Sequence, residues 1–226
     1  MELLEKSGSL RRLARYHSPN YNMLNGNSEL MDEKATRLTA CIKAIIAEIK
    51  GDSCWEGASE ELLEMADMTV ERAAFSRIYL DVLCPNGEGD VARDLLFSDH
   101  IRRLSSCCGA STVGVSVRHM WAAPYCRAQR PLLQLPVYRT PRDKVWCITR
   151  CVQCVMSVLG LSESAPSADD LTPVLVYIIL RVNPPSVLST IEMVNAFGSS
   201  SLQGEALYCW TLFCSAVAYI KTMDDT

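Results

Sequence analysis

Histidine is scarce in this sequence, with His17, His100 and His119 scattered over 226 residues. There is no His-Glu-x-x-His helix, no glycine-rich phosphate loop and no Gly-x-Ser-x-Gly elbow. The usual frames for metal-assisted hydrolysis, nucleotide chemistry and acyl transfer are therefore missing. The reading is of a protein that performs no covalent chemistry and carries no cofactor. A basic stripe is missing as well. The net charge is −4 and no block of five or six like charges occurs, whereas a nucleic-acid binder displaces counterions with clustered Lys and Arg. Nucleic acid is not an expected partner. No stretch is apolar over the length of a bilayer, and the charge-free run Ala206–Ile220 falls short of it. Glu2 and Glu5 come early, and no apolar core follows the basic residues of the first fifteen, so a secretory signal is not expected. The cysteine count of 11 is odd, and without a signal it points to reduced thiols. These features predict a cytoplasmic protein that visits membranes only peripherally.

What is present is helical. Apolar residues make up 49% of the chain, enough for a substantial core. Residues 1–27 are broken by Ser7-Gly8-Ser9, Ser18-Pro19-Asn20 and Asn25-Gly26-Asn27, which predicts a flexible or partly helical segment. From Ser28, a candidate cap, Leu38, Cys41, Ile42, Ile45 and Ile49 recur at helical spacing up to Gly51. A short helix after Ser59 and another over Thr69–Cys84 follow. The second turns Val70, Ala73, Ala74, Tyr79 and Leu83 inward. The turn Pro85-Asn86-Gly87-Glu88-Gly89 makes a boundary between a helical bundle (28–84) and a C-terminal helical domain (85–226). A helix over Asp90–Leu104 runs along Val91, Leu95, Ile101 and Leu104. Residues 105–139, interrupted by Pro124, Pro131 and Pro136, read as a long irregular connection with one short helix. Thr140-Pro141-Arg142-Asp143 caps a helix that ends at Gly160. Ser167 opens the next, and Asn183-Pro184-Pro185 stops it. Val187–Phe197 and Glu205–Thr222 complete the chain, with Leu207, Trp210, Cys214, Val217 and Ile220 as the inner stripe of the last helix. No strand alternation is present, and the fold class is all-α.

Three constellations carry chemical interest. In Ser167-Ala168-Asp169-Asp170, Asp170 suffices for a reciprocal cap with Ser167, which leaves Asp169 over. Spacing alone does not decide whether Asp169 is a second dipole-facing acid or a projecting functional group. Tyr208 and Thr211, three apart, share a polar strip beside the last helix's apolar stripe; that strip is either an amphipathic rim or a working surface. Cys147, Cys151 and Cys154 share one helix face but lack a nearby histidine and a full tetrahedral set, so core thiols are preferred to zinc. Cys107, Cys108, His119 and Cys126 form a looser cluster without paired metal-site spacing. No metal is expected.

Thr140-Pro141-Arg142-Asp143-Lys144, Ser167–Leu175, Asn183-Pro184-Pro185 and Gly204-Glu205 with Tyr208 closely resemble, in order and separation, the Vps-nine domain. Pro85–Asp90 and Asp99–Leu104 resemble that family too, so the likeness is close over about 85–226 and weak over 60–84. The resemblance implies a layered helical exchange domain preceded by a bracing bundle. It implies a Rab GTPase of the Rab-five subfamily on early endosomes as partner, and recruitment to endosomal membranes. It casts Asp169 as an acidic finger entering the nucleotide site and Tyr208 as the contact to the GTPase switch region. Pro173, Asn183, Pro184 and Thr211 match positions that shape or flank that surface. Thr172 departs from a larger apolar residue and Cys209 from an aromatic. Two other classes stay open: a helical module that binds a Rab without exchanging its nucleotide, and a metal-stabilised helical protein of unrelated function.

Overall fold

The computed structural model describes residues 31–161, 166–198 and 201–224, and every regular element among them is helical. The Ser28 cap and the segment 1–27 lie outside these residues. By contact the chain divides into two compact units, Met1–Tyr79 and Leu80–Thr226, and the division falls within a helix rather than at the Pro85–Gly89 turn.

In the first unit α1 (Met31–Lys50) ends at Gly51, and a 3₁₀ turn (Ser53–Trp55) leads to α2 (Glu60–Leu83). Ile45 and Ile49 of α1 pack with Trp55, Ala66, Val70 and Ala74, and Lys50 Nζ reaches Asp67 at 3.0 Å. The two helices read from Ser59 and Thr69 are one continuous helix. Thr69 does not cap; its hydroxyl donates back to the Met65 carbonyl at 2.7 Å, a bond that satisfies the side chain without ending the helix.

The second unit contains α3 (Glu88–Cys107), a 3₁₀ segment (Val117–Ala122), α4 (Cys126–Gln134), α5 (Pro141–Leu159), α6 (Ala168–Val182), α7 (Val187–Phe197) and α8 (Gly204–Thr222). Helix α6 is the centre. Leu171 and every residue of Val174–Leu180 are buried, and α3, α4, α5 and α8 all pack on it. A helix apolar on all sides has to be surrounded. Two inward assignments in α3 are corrected: Val91 and Leu95 are exposed, while Asp90 and Asp94 are buried. Asp94 faces inward because α7 starts without a side-chain cap of its own. Its Oδ1 accepts from the Leu188 amide at 2.9 Å and lies 3.4 Å from the Ser189 amide, satisfying that helix end from another element. In α8 Leu207 is exposed, and Cys209, Leu212, Phe213 and Ala216 join Trp210, Val217 and Ile220 inside.

The start of α5 follows its sequence signal: Thr140 Oγ1 accepts from the Asp143 amide at 3.1 Å and Pro141 occupies the first helical position. Thr140 is 2% exposed, so no water replaces that acceptor. Thr140→Ala is expected to cost about 1–2 kcal/mol, the range for a lost N-cap. A lowered urea midpoint at unchanged m-value checks it, and an unchanged midpoint counts against it. Cys147 and Cys151 are buried in the same helix and Cys154 is half-buried. Among the described residues, no three metal-binding side chains converge in this stripe or in the looser 107–126 cluster.

Candidate functional site

At its first turn α6 leaves the core, and there the side chains become polar and more exposed. Ser167 and Asp170 form the reciprocal cap read from the sequence: Asp170 N donates to Ser167 Oγ at 3.3 Å, and Ser167 N donates to Asp170 Oδ2 at 3.1 Å. A second hold comes from the irregular segment. Arg118 Nη2 meets Asp170 Oδ1 at 2.5 Å, and the Arg118 and Ser167 hydrogen bonds keep the Asp170 carboxyl down at about 2. His119, 3% exposed, brings Nε2 to 3.7 Å from the same oxygen.

Asp170 is thereby fully engaged, and Asp169 is not. Asp169 is exposed and no hydrogen bond or ion pair holds it among the described residues. Pro173 stands four residues after it and has no N–H, so the Asp169 carbonyl receives no helical hydrogen bond. The turn that carries the acid is held by its cap and by Arg118 more than by its own ladder. Pro173 is half-buried, and the backbone of Gly114, at φ +86°, lies against it; a Cβ there would stand 4.0 Å from the Pro173 Cβ. Only glycine enters that conformation without strain.

Tyr208 sits on α8, 42% exposed, and Thr211, one turn on, is exposed with its hydroxyl bonded back to the Leu207 carbonyl at 2.8 Å. Two tethers relate these residues to Asp169. At the end of α6, Asn183 Nδ2 donates to the Ser98 carbonyl at 3.1 Å and lies 2.9 Å from its hydroxyl. At the end of α8, the His100 ring meets the Ile220 carbonyl at 3.0 Å. The two C-terminal ends thus meet neighbouring residues of α3, and the two helices pack along each other. They run the same way, and their N-terminal turns come out at the same end. From the helical rise, Asp169 lies about 21 Å from Asn183 and Tyr208 about 18 Å from Ile220.

The structure therefore gathers Asp169, Pro173, Tyr208 and Thr211 toward one end of the α6–α8 pair. It sets Asn183 and Pro184 at the other. Asn183 is in the left-handed conformation (φ 45°) that closes α6, and Pro184 is buried. Asn183 closes α6 and its amide pins it to α3, and Pro184 follows directly after that end. Sequence reasoning missed Arg118, whose partner is 52 residues away in a stretch without periodicity. It also left Trp121 unremarked, an indole 62% exposed in the same 3₁₀ segment. No local signal announces either residue.

The second unit is thus a helical module whose central apolar helix carries an exposed acid, Asp169, at its tip, beside a helix bearing the exposed Tyr208. Residues 125–225 match the family model of the vacuolar sorting protein 9 (VPS9) domain, and the chain belongs to that family through them. Over 198 residues, 86% of its length, it is 37% identical to bovine GTPase-activating protein and VPS9 domain-containing protein 1. It is 32% identical over 197 residues, 85% of its length, to receptor-mediated endocytosis protein 6 of Caenorhabditis elegans. It is 28% identical over 184 residues, 79% of its length, to vacuolar protein sorting-associated protein 9A of Arabidopsis thaliana. The chain covers 14% of the bovine protein, 18% of the nematode protein and 35% of the plant protein. No helix among the described residues is long and apolar enough to cross a membrane.

Proposed function

We propose that this chain is a guanine-nucleotide exchange factor that speeds GDP release from a Rab GTPase of the Rab-five subfamily, acting in endocytic traffic on early endosomes. The observation that carries the reading is the exposed, unengaged Asp169 carboxylate at the same end of the α6–α8 pair as the exposed Tyr208. The VPS9 match, and relatives named for endocytosis and vacuolar sorting, fit the same partner class.

A GTPase holds GDP through a phosphate-loop lysine, backbone amides and Mg²⁺. An inserted Asp169 carboxylate pairs with that lysine, repels the phosphates and disfavours the metal. No bond is made or broken, and no cofactor is needed. Tyr208 contacts the switch region, with Thr211 and Pro173 flanking it, while Asn183 and Pro184 shape the surface from behind by fixing α6. Residues 85–226 form the exchange domain, residues 28–84 are a separate helical bundle, and membrane contact is peripheral.

The test is release of a fluorescent GDP analogue from a panel of purified Rabs, with and without the protein. Faster release confined to Rab-five subfamily members supports the reading. Binding to a Rab without faster release sinks it and leaves a non-catalytic docking module.

A further inference from the structure

We infer that the 3₁₀ segment Val117–Ala122 is a second contact surface for the GTPase, with Trp121 as its anchoring side chain; this rests on the exchange reading above. A 3₁₀ helix repeats every three residues, so side chains at i and i+3 eclipse. Arg118 and Trp121 therefore share a face. That face is directed at the tip of α6, because Arg118 reaches Asp170, the neighbour of Asp169, at 2.5 Å. The adjoining His119 is buried at 3% exposure with its ring 3.7 Å from the same Asp170 oxygen, and its carbonyl accepts from Tyr125 Oη at 2.7 Å. The segment is thus fastened both to its own core, through Tyr125, and to the root of the acidic turn, through Arg118. Between these anchors Trp121 is left 62% exposed and Val117 83% exposed.

A large indole is seldom left so open on a folded surface, and tryptophan is prominent among the side chains that dominate protein–protein affinity. The occupant follows from continuity. Whatever receives the Asp169 carboxylate covers the turn that carries it, and Arg118 places Trp121 beside that turn. A GTPase presenting a lysine to Asp169 brings the apolar rim of its nucleotide cleft against the indole. Arg118 is a positioning residue with no partner contact of its own: it neutralises Asp170, so Asp169 is the one uncompensated carboxylate in the turn.

The experiment measures GDP release from a responsive Rab over a range of exchange-factor concentrations. Trp121→Ala is expected to raise the half-saturating concentration on the order of ten- to a hundredfold while the plateau rate holds. Trp121→Phe is expected to recover most of the affinity. Arg118→Ala is expected to lower the plateau rate with little change in half-saturation, and Arg118→Lys to restore part of it. Circular dichroism on each variant establishes that the helices are intact. If the unmodified protein speeds release and Trp121→Ala matches it at every concentration, the contact surface is refuted while the exchange reading stands. If the unmodified protein speeds release from no Rab, the exchange reading itself has failed.

Discussion

Asp169→Ala is expected to slow catalysed GDP release by roughly one to four decades, down to the intrinsic rate of the GTPase. The range follows from the cost of removing one partner of a buried charge pair, about 2–5 kcal/mol, at about 1.4 kcal/mol per tenfold in rate. The same substitution barely touches the fold. Asp169 holds nothing among the described residues, while Asp170 alone supplies the reciprocal cap. The stability lost is the interaction of one acid with a helix N-terminus, about 0.3–1 kcal/mol. A large kinetic effect with a nearly constant unfolding midpoint is the combination to look for. Asp169→Asn keeps the shape and removes the charge, and is expected to be as slow as Asp169→Ala if electrostatic competition drives release. Undiminished release from either variant would remove the carboxylate from the mechanism.

The second large effect is alkaline. Burial pushes the Cys147 thiol up to about 12, and Cys209 and Cys214 to about 11, from an ordinary 9.0. Cys151, fully enclosed, is pushed up as well, again by burial first. A raised folded-state value means the thiol stays protonated while the unfolded chain ionises. The stabilisation is complete below pH 9 and is lost as pH rises through 9 to 11. Each thiol contributes a slope of about 1.4 kcal/mol per pH unit in that window. Lys144 works against them. Its ammonium is 1% exposed, donates to the Leu135 carbonyl at 3.1 Å, and is lowered from 10.5 to about 8 by burial. Its burial penalty is present below pH 8 and relieved between 8 and 10.5, offsetting one group against four. Urea midpoints are therefore expected to hold near pH 8 and to fall steeply from pH 9 to 11. Replacing Cys151 with alanine leaves a cavity but flattens that fall. A midpoint unchanged to pH 11 would contradict the burial of the thiols.

Helix ends were the most legible part of the sequence, because their signals are local. Thr140 with Asp143, Ser167 with Asp170 and Asn183 before two prolines each state a cap within four residues, and all three ends stand where those residues put them. The all-α class follows from the same signals. Legibility failed where a side chain answers to something distant. Thr69 has the look of a cap yet lies inside α2, since a threonine can bond back to its own helix. Val91 and Leu95 fit an inner stripe by spacing, but α3 turns Asp94 inward to meet the start of α7, and Leu207 fits the stripe of α8 yet is exposed. Of the candidate site, the separation of Asp169 from Asp170 was visible in the text. That Asn183 and Asp169 stand at opposite ends of α6 follows from the helix once its bounds are known. The convergence of Tyr208 with Asp169, and the grip of Arg118 on Asp170, depend on tertiary contacts that no short window contains.

The paired tethers on α3 bear on how the acidic tip withstands a partner. Ser98 and His100 act as a common footing for two parallel rods, one ending at Asn183 and the other at Ile220. A load on the front of either rod would be carried along its axis to that footing, which the two rods share. Movement of the Asp169 carboxylate is left to the short capped turn ahead of Pro173, so on the proposed reading the acid meets its partner from a rigidly seated helix.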